Sequence, residues 1–333
     1  MSPSPSPSAI SIRGLTKTFG PKLAVSNLDL DVPAGSLCGF IGPNGAGKTT
    51  TIRMIMSIIF PDSGELTVLG KPSAVESKDR IGYLPEERGV YRKMRVLPFL
   101  VYMARLKGVD GAAAKRKAMD WLERVELGGN ARKKCEELSK GMQQKVQFIS
   151  AVIHEPDLLI LDEVFTGLDP VNRRLMRGLI DEQHKAGRTI VFSTHAMYEA
   201  EQLCQRVFMI HKGVKVLDAT LGEIRARFDP RTIIADPMPD SGADEGGAVE
   251  TRLRDMPGVV RVERDRDGFT IGVADGVAPS GVISQIAGVA PMRRIELKRV
   301  ALDDVFIELV TAGGETEVSR AELGQTDQEA AHV

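Results

Sequence analysis

Residues 37–58 run Leu37-Cys-Gly-Phe-Ile41, then Gly42-Pro-Asn-Gly-Ala-Gly-Lys-Thr49, then Thr50-Thr-Ile-Arg-Met-Ile-Met-Ser-Ile58. The first run is apolar on both faces, as in a strand covered by helices on each side, and the last is a helical pattern. Between them lies G-x-x-x-x-G-K-[ST], in the strand-to-helix setting that gives this spacing a physical meaning. Gly42, Gly45 and Gly47, with Pro43, Asn44 and Ala46 between them, let backbone N–H groups curl around phosphate oxygens. The start of the helix adds positive dipole, Lys48 neutralises β- and γ-phosphate charge, and the Thr49 hydroxyl is placed to hold Mg²⁺. A nucleoside triphosphate site is the conclusion.

The chain around this loop has 333 residues, 42% of them apolar, which predicts about two domains, each with a sizeable core. Its net charge of −1 conceals an asymmetry: residues 1–227 carry 33 basic and 25 acidic side chains, and residues 228–333 carry 11 and 20. Apolar runs such as Leu158 to Leu161 are short and end in charges, so no spanning helix is expected. Met1-Ser-Pro-Ser-Pro-Ser-Pro-Ser8 has neither the basic start nor the apolar run of a secretory signal and is read as a disordered leader, residues 1–8. A cytoplasmic location follows by default. Cys38, Cys135 and Cys204 are widely separated, and the five histidines lack metal-ligand spacing, so neither a disulfide framework nor a zinc site is expected.

From Ile10 to about Phe228, β-type runs alternate with helical patterns. Leu37–Ile41, Ile81–Leu84, Leu158–Leu161, Thr189–Ser193 and Val207–Ile210 are the expected strands of an α/β layered domain over residues 9–227. Residues 98–155 interrupt the alternation as a helical insertion, with helices over Phe99–Lys107, Ala112–Val125 and Gly141–His154 and with Pro98 at a first helical position. From Arg92 to Lys134 there are 12 basic and 4 acidic residues, either a solvated helix surface or one that attracts nucleotide or anionic lipid. Beyond Asp229-Pro230, strand Thr232–Ala235, helix Val249–Met256, hairpin Val259–Glu263 and Phe269–Val273, helix Gly281–Ile286 and strand Arg294–Leu297 make a β-α-β-β-α-β order. That order is the ferredoxin-like split motif, an α+β accessory domain over residues 229–312 closed by a helix from Leu302 to Val310. Asp240 to Gly247 is a polar loop, and residues 313–333 are an acidic tail expected to be disordered.

Leu158-Leu-Ile-Leu-Asp-Glu163 is an apolar strand ending in two carboxylates. Asp162 is suited to the Mg²⁺ shell, and Glu163, one residue further, to orienting and deprotonating a water at the γ-phosphate. Upstream, Leu138-Ser-Lys-Gly-Met-Gln-Gln-Lys145 places a capping Ser139 and Gly141 at a helix start whose free N–H groups form an anion site or an ordinary cap.

Taken together, these segments resemble the ATP-binding subunit of an ABC transporter over roughly residues 9–227. The Walker A loop is Gly42 to Thr50, the signature Leu138 to Lys145, Walker B Leu158 to Glu163, the D-loop Gly167-Leu-Asp169, and the switch histidine His195. The resemblance implies that Phe19 stacks on adenine and that Thr50 and Asp169 belong to the nucleotide site. It also implies that His195 contacts the γ-phosphate, and that Ser139 and Gly141 of one subunit close over ATP held by Lys48 of another. A homodimer or paired ATPase subunit at the cytoplasmic face of the membrane is then expected, with Mg²⁺ and ATP as cofactors. Separately encoded integral membrane permeases would be its partners, with contact near Tyr83 to Arg95 and the following helices, and no nucleic acid is expected.

Glu86 stands where the family's Q-loop glutamine is usual; it can still face Mg²⁺ but cannot donate an amide hydrogen bond. Lys140 and Met142 replace Gly and Gln in the signature, and Val164 replaces Pro after Walker B. The Leu84-Pro-Glu-Glu-Arg-Gly89 and Leu138-Ser-Lys-Gly-Met-Gln-Gln-Lys145 segments are similar to the ABC-2-type exporter subgroup, which includes sodium-extruding and drug-resistance ATPases. An alternative is a soluble ABC ATPase in DNA maintenance or translation. About 90 residues between Lys48 and Leu138 leave no room for a long coiled coil, and a single cassette is present, so transport is preferred. A regulatory module without turnover is disfavoured by Asp162, Glu163 and His195.

Overall fold

The computed structural model of the protein describes residues 8–87, 89–228, 231–238, 247–265 and 268–311. Two compact units are present, one made of residues to Leu221 together with those from Phe306 on, the other of Gly222–Val305.

In the first unit, β3 (Leu37–Ile41), β5 (Ile81–Leu84), β6 (Leu158–Asp162), β7 (Thr189–Thr194) and β8 (Arg206–His211) run parallel, and β9 (Val214–Thr220) closes the edge antiparallel to β8. The sheet order is β5-β6-β7-β3-β8-β9. Every residue of β3, β6 and β7 is buried, which is why these segments carry apolar runs with no alternation. Helices α1 (Lys48–Ile55), α5 (Pro170–Lys185) and α6 (Met197–Leu203) complete the layered domain, and α7 (Leu221–Arg227) begins the other unit. The registers Ile41↔Thr194 and Asp162↔Ser193 bring the carboxyl ends of β3, β6 and β7 to one sheet edge, where open α/β sheets bind ligands.

A second sheet of order β2-β1-β4 is antiparallel throughout: β1 (Ser8–Phe19), β2 (Lys22–Pro33) and β4 (Ser63–Val68). Ile10, Ile12, Leu28 and Leu30 from it pack with Phe40, Ile52, Ile160 and Phe208 in one buried cluster. These strands escape a reading by period because β-bulges interrupt them, as between Ile12 and Leu15 and between Leu15 and Lys17, so the apolar face loses strict alternation. Ser8, expected in the leader, is the first residue of β1 and pairs with Pro33.

Between β5 and β6 stand α2 (Val96–Leu106), α3 (Gly111–Arg124) and α4 (Lys140–Val152). Asp110 caps α3 by accepting from the N–H groups of Ala112 and Ala113, and Ser139 caps α4 by accepting from Met142 at 3.3 Å. Pro98 is not the first helical residue. The helix starts two residues earlier because the N–H groups of Val96 and Leu97 donate to the carbonyls of Lys133 and Ala131, both at 3.0 Å. A proline at the third position costs no hydrogen bond, since that N–H has no partner within the helix.

The other unit is a four-stranded antiparallel sheet of β10 (Thr232–Pro237), β11 (Val259–Arg264), β12 (Phe269–Val273) and β13 (Met292–Leu297) in the order β11-β12-β10-β13. With α8 (Ala248–Arg254) and α9 (Pro279–Ile286), this is the ferredoxin-like arrangement, its core made by Ile233, Leu253, Phe269, Ile271 and Val282. A last helix, α10, covers residues 302–311, and its Phe306 ring lies edge-on to His211 with centroids 5.6 Å apart. The 313–333 tail and most of the 240–247 loop lie outside the described residues. All three cysteines are buried and free, and among the described residues no helix is long and apolar enough to cross a membrane.

His154, just past α4, has its Nε2 3.2 Å from the Ile81 carbonyl, and burial holds its pKa down at about 4. The fold therefore selects the neutral ring. Its contribution to stability is fully present above the ordinary histidine pKa and is lost as pH falls towards 4. We expect chemical denaturation to find the parent protein up to about 2 kcal/mol less stable at pH 5 than at pH 7.5 through this group. The loss should be smaller in His154→Gln.

Candidate active site

The phosphate loop is shaped by backbone that only glycine adopts easily. Gly42, Gly45 and Gly47 have φ of 154°, 77° and 111°. A Cβ on Gly42 would stand 2.2 Å from the Ile210 carbonyl oxygen and one on Gly47 2.7 Å from that of Ala24, whereas one on Gly45 would meet nothing within 4 Å. The loop is thus clamped at both ends and open at its crest. Ala46 N–H donates to Pro43 at 3.2 Å across the turn, and Gly47 is the N-cap of α1.

Lys48, at the first position of α1, folds back so that Nζ donates to the carbonyls of Gly42 at 2.8 Å and Pro43 at 3.2 Å. It is buried, and its nearest counter-charge is Glu163, whose Oε1 lies 3.6 Å away. Above the loop is a cleft of about 300 Å³ lined by Phe19, Lys22, Asn44, Lys48, Glu86 and Glu163, together with Ala24, Gly45, Gly47, Thr49 and Thr50. Phe19 is 49% exposed at its rim, with Lys17 Nζ 5.5 Å from the ring centroid.

Asp162 ends β6 fully buried. Its Oδ1 accepts from Ser193 Oγ on the neighbouring β7, while Oδ2 has no hydrogen-bond partner among the described residues. Burial pushes its pKa up, and the nearby Glu86 and Glu163 carboxylates add to that, against hydrogen bonds from Ser193 and Thr49. Glu163 turns out of the strand at φ 50°, an uncommon left-handed conformation for a side-chain-bearing residue. Its N–H is held there by the Ser193 carbonyl and hydroxyl, both at 3.2 Å. Its Oε2 accepts from His195 Nδ1 at 3.0 Å and from Thr166 Oγ1 at 3.3 Å. Since an ionised carboxylate only accepts, His195 carries its proton on Nδ1, which leaves Nε2 as the other ring nitrogen. Val164, which replaces the family proline, is buried, and its carbonyl accepts from Gln144 Nε2 of α4 at 3.1 Å.

The sequence-expected residues fall in two groups. Phe19, the 42–50 loop, Glu86, Asp162, Glu163 and His195 converge, whereas Ser139, Gly141 and Asp169 do not line the cleft. Gly141 and Asp169 share a neighbour instead: a Cβ on Gly141 would be 3.2 Å from Asn172 Nδ2, and Asp169 caps α5 by accepting from that residue's N–H at 2.9 Å. Ser139 and Asp169 are exposed.

Three supporting residues had no sequence signal. Ser193 clamps both Asp162 and Glu163, and Gln147 of α4 donates to the carbonyls of Pro85 and Glu87, both at 3.2 Å, on either side of Glu86. The third, Glu199, is buried and takes Arg177 at 2.7 Å and Arg173 at 3.4 Å, tying α5 to the helix after His195. Each acts across elements distant in the chain, so no local pattern marks it.

Residues 25–166 match the ABC transporter family model, and residues 220–310 match that of the C-terminal domain of DrrA1-3-like ATP-binding proteins. An uncharacterised ABC transporter ATP-binding protein of Bacillus subtilis, YhaQ, is 40% identical over 303 residues, 91% of this chain and 99% of the relative. The chain belongs to the ABC transporter ATP-binding proteins. It binds and hydrolyses ATP, as the ATP-binding subunits of these transporters do, and works with membrane permease subunits. The Nod factor export ATP-binding protein I of Burkholderia orbicola is 31% identical over 303 residues, 90% of this chain and 96% of that one. A solved ATP-binding subunit of an ABC transporter is 29% identical with a TM-score of 0.62, covering 66% of this chain and 93% of its own.

Proposed function

We propose that this ATPase drives export of a substrate through separate permease subunits at the cytoplasmic face of the membrane, working as a head-to-tail pair. The observation that carries the catalytic part is the buried Lys48–Glu163 pair, continued by the exposed His195 at the cleft, set against an Asp162 oxygen that is buried without a partner. Export is supported by the names of relatives such as the Nod factor export protein and the linearmycin resistance ATP-binding protein LnrL of Bacillus subtilis.

In this reading Lys48 leaves the Gly42 and Pro43 carbonyls and Glu163 to meet the β- and γ-phosphates, and Phe19 at the rim offers a face to adenine. The unpartnered Asp162 Oδ2 and the nearby Thr49 hydroxyl fit Mg²⁺, which takes one or two carboxylates and phosphate oxygens, with Glu86 at the edge of the cleft as an outer carboxylate. When bound, Mg²⁺ supplies charge stabilisation on the transferring phosphoryl group. Glu163 accepts the proton of a water whose oxygen attacks the γ-phosphorus; the bond to the β-phosphate oxygen breaks, leaving ADP and inorganic phosphate. His195 holds the Glu163 carboxylate through Nδ1 and turns its other nitrogen towards the γ-phosphate. Ser139 and Gly141, exposed or half-exposed and away from the cleft, are the groups a second subunit would contribute.

Affinity purification from solubilised membranes tests the partner. An integral membrane protein should co-purify and stimulate ATP turnover. Recovery of soluble or nucleic-acid partners alone would overturn the transport reading.

A further inference from the structure

Arg173 and Arg177 stand one turn apart on α5 and meet a single carboxylate, Glu199, in the first turn of α6. Glu199 is only 2% exposed. Arg177 closes on Glu199 Oε2 through Nε at 2.8 Å and Nη2 at 2.7 Å, and its guanidinium lies 5.4 Å from the Tyr198 ring centroid. Arg173 reaches two partners: its Nε is 3.4 Å from Glu199 Oε1, and its Nη2 donates to the Leu168 carbonyl of the D-loop at 3.3 Å. Arg173 Nε and Glu199 Oε1 are buried and have no hydrogen-bond partner among the described residues, so this second arm is an ion pair not closed into a hydrogen bond.

Both ends of this link reach groups tied to the nucleotide site. Leu168 precedes Asp169, the exposed cap of α5. At the other end the Glu199 N–H donates to the Ala196 carbonyl and the Ala196 N–H to Thr194 Oγ1, both at 3.0 Å. His195 lies between Thr194 and Ala196, and its Nδ1 donates to Glu163 at 3.0 Å. Arg177 by itself ties α5 to α6; Arg173 adds a connection whose far end is the Leu168 backbone. Moving that carbonyl pulls on Glu199, and Glu199 sets the turn that carries the imidazole. Because the Glu199 carboxylate is out of water, solvent does not make good the loss of a partner.

We propose that Glu199, with Arg173, is a positioning residue for ATP hydrolysis: it locks the Gly167–Asp169 loop to His195, so that displacement of the loop shifts the imidazole that holds Glu163. The inference rests on the reading that Glu163 and His195 act on the γ-phosphate. Glu163→Gln tests that reading by turnover, whereas the imidazole signal of His195 reports the link whichever group is the base.

The full chain is compared with Glu199→Gln, Arg173→Gln and the double variant by steady-state turnover of Mg²⁺-ATP and by long-range ¹⁵N–¹H spectra of the imidazoles. A misplacement of about 1 Å costs about 100-fold, so each single variant should lower kcat by about tenfold or more while KM for ATP moves by less than about threefold. The double variant should lose no more than the worse single one, because the two residues act as one link. The His195 signals, identified by their absence in His195→Gln, should leave the Nδ1-protonated pattern in both single variants, while those of His154, bound to the Ile81 carbonyl, stay in place. Arg173, with 42% of its side chain exposed, can be replaced without opening the core, so it reads the link even where Glu199→Gln does not fold. Parental kcat in a folded single variant, a rise in KM that accounts for the loss, losses that multiply in the double variant, or unmoved His195 signals would each reduce Glu199 to an ordinary tie between two helices and overturn the proposal.

Discussion

Glu163→Gln should lower ATP turnover by about 10²–10⁴-fold, the contribution of a positioned general base, while nucleotide binding survives. Glutamine preserves the side-chain shape and can still accept from His195 and Thr166, so the pocket should stay assembled. It cannot take a proton from water at neutral pH. It also removes the negative charge 3.6 Å from Lys48, which frees that ammonium for phosphate and favours an ATP-bound, paired state. Single-turnover hydrolysis and sedimentation in the presence of ATP check both halves. Hydrolysis at the parent rate would show that Glu163 is not the base. A loss of ATP binding equal to the loss of turnover would assign it to positioning the loop.

Gly47→Ala should abolish measurable ATP binding and destabilise the protein by about 2–4 kcal/mol, from an unfavourable backbone conformation together with overpacking. The new methyl would stand 2.7 Å from a backbone oxygen at Ala24, and φ of 111° is closed to residues with a Cβ. Relief requires the N-terminus of α1 to move, and Lys48 moves with it. Gly45→Ala is the control: its φ of 77° is strained, but nothing lies within 4 Å, so a loss of only about 1 kcal/mol is expected. Denaturant unfolding without nucleotide, followed by titration with ATP, separates the two. Similar losses in both variants would mean that close packing at Gly47 has no special weight.

Legibility followed the range of the interactions. The phosphate loop, Asp162, Glu163 and the strands buried on both faces could be read because a few adjacent residues carry the whole signal; β3, β5 and β12 have the bounds expected of them. The split β-α-β-β-α-β order was legible for the same reason, each element having its own pattern and turn. The β2-β1-β4 sheet was not, because bulges spoil its period, and the start of α2 was misplaced because distant carbonyls at Ala131 and Lys133 satisfy its first N–H groups.

By itself, then, the sequence determined the chemistry of the loop, the order of the elements and the identity of the titratable groups, since these depend on residue type and short spacing. Only the tertiary structure decided that Glu163 turns to φ 50° under Ser193 and that Glu199 gathers two arginines of α5. Those outcomes depend on which strands and helices become neighbours, and neighbours are set by burial of the shared core rather than by any residue's own preference.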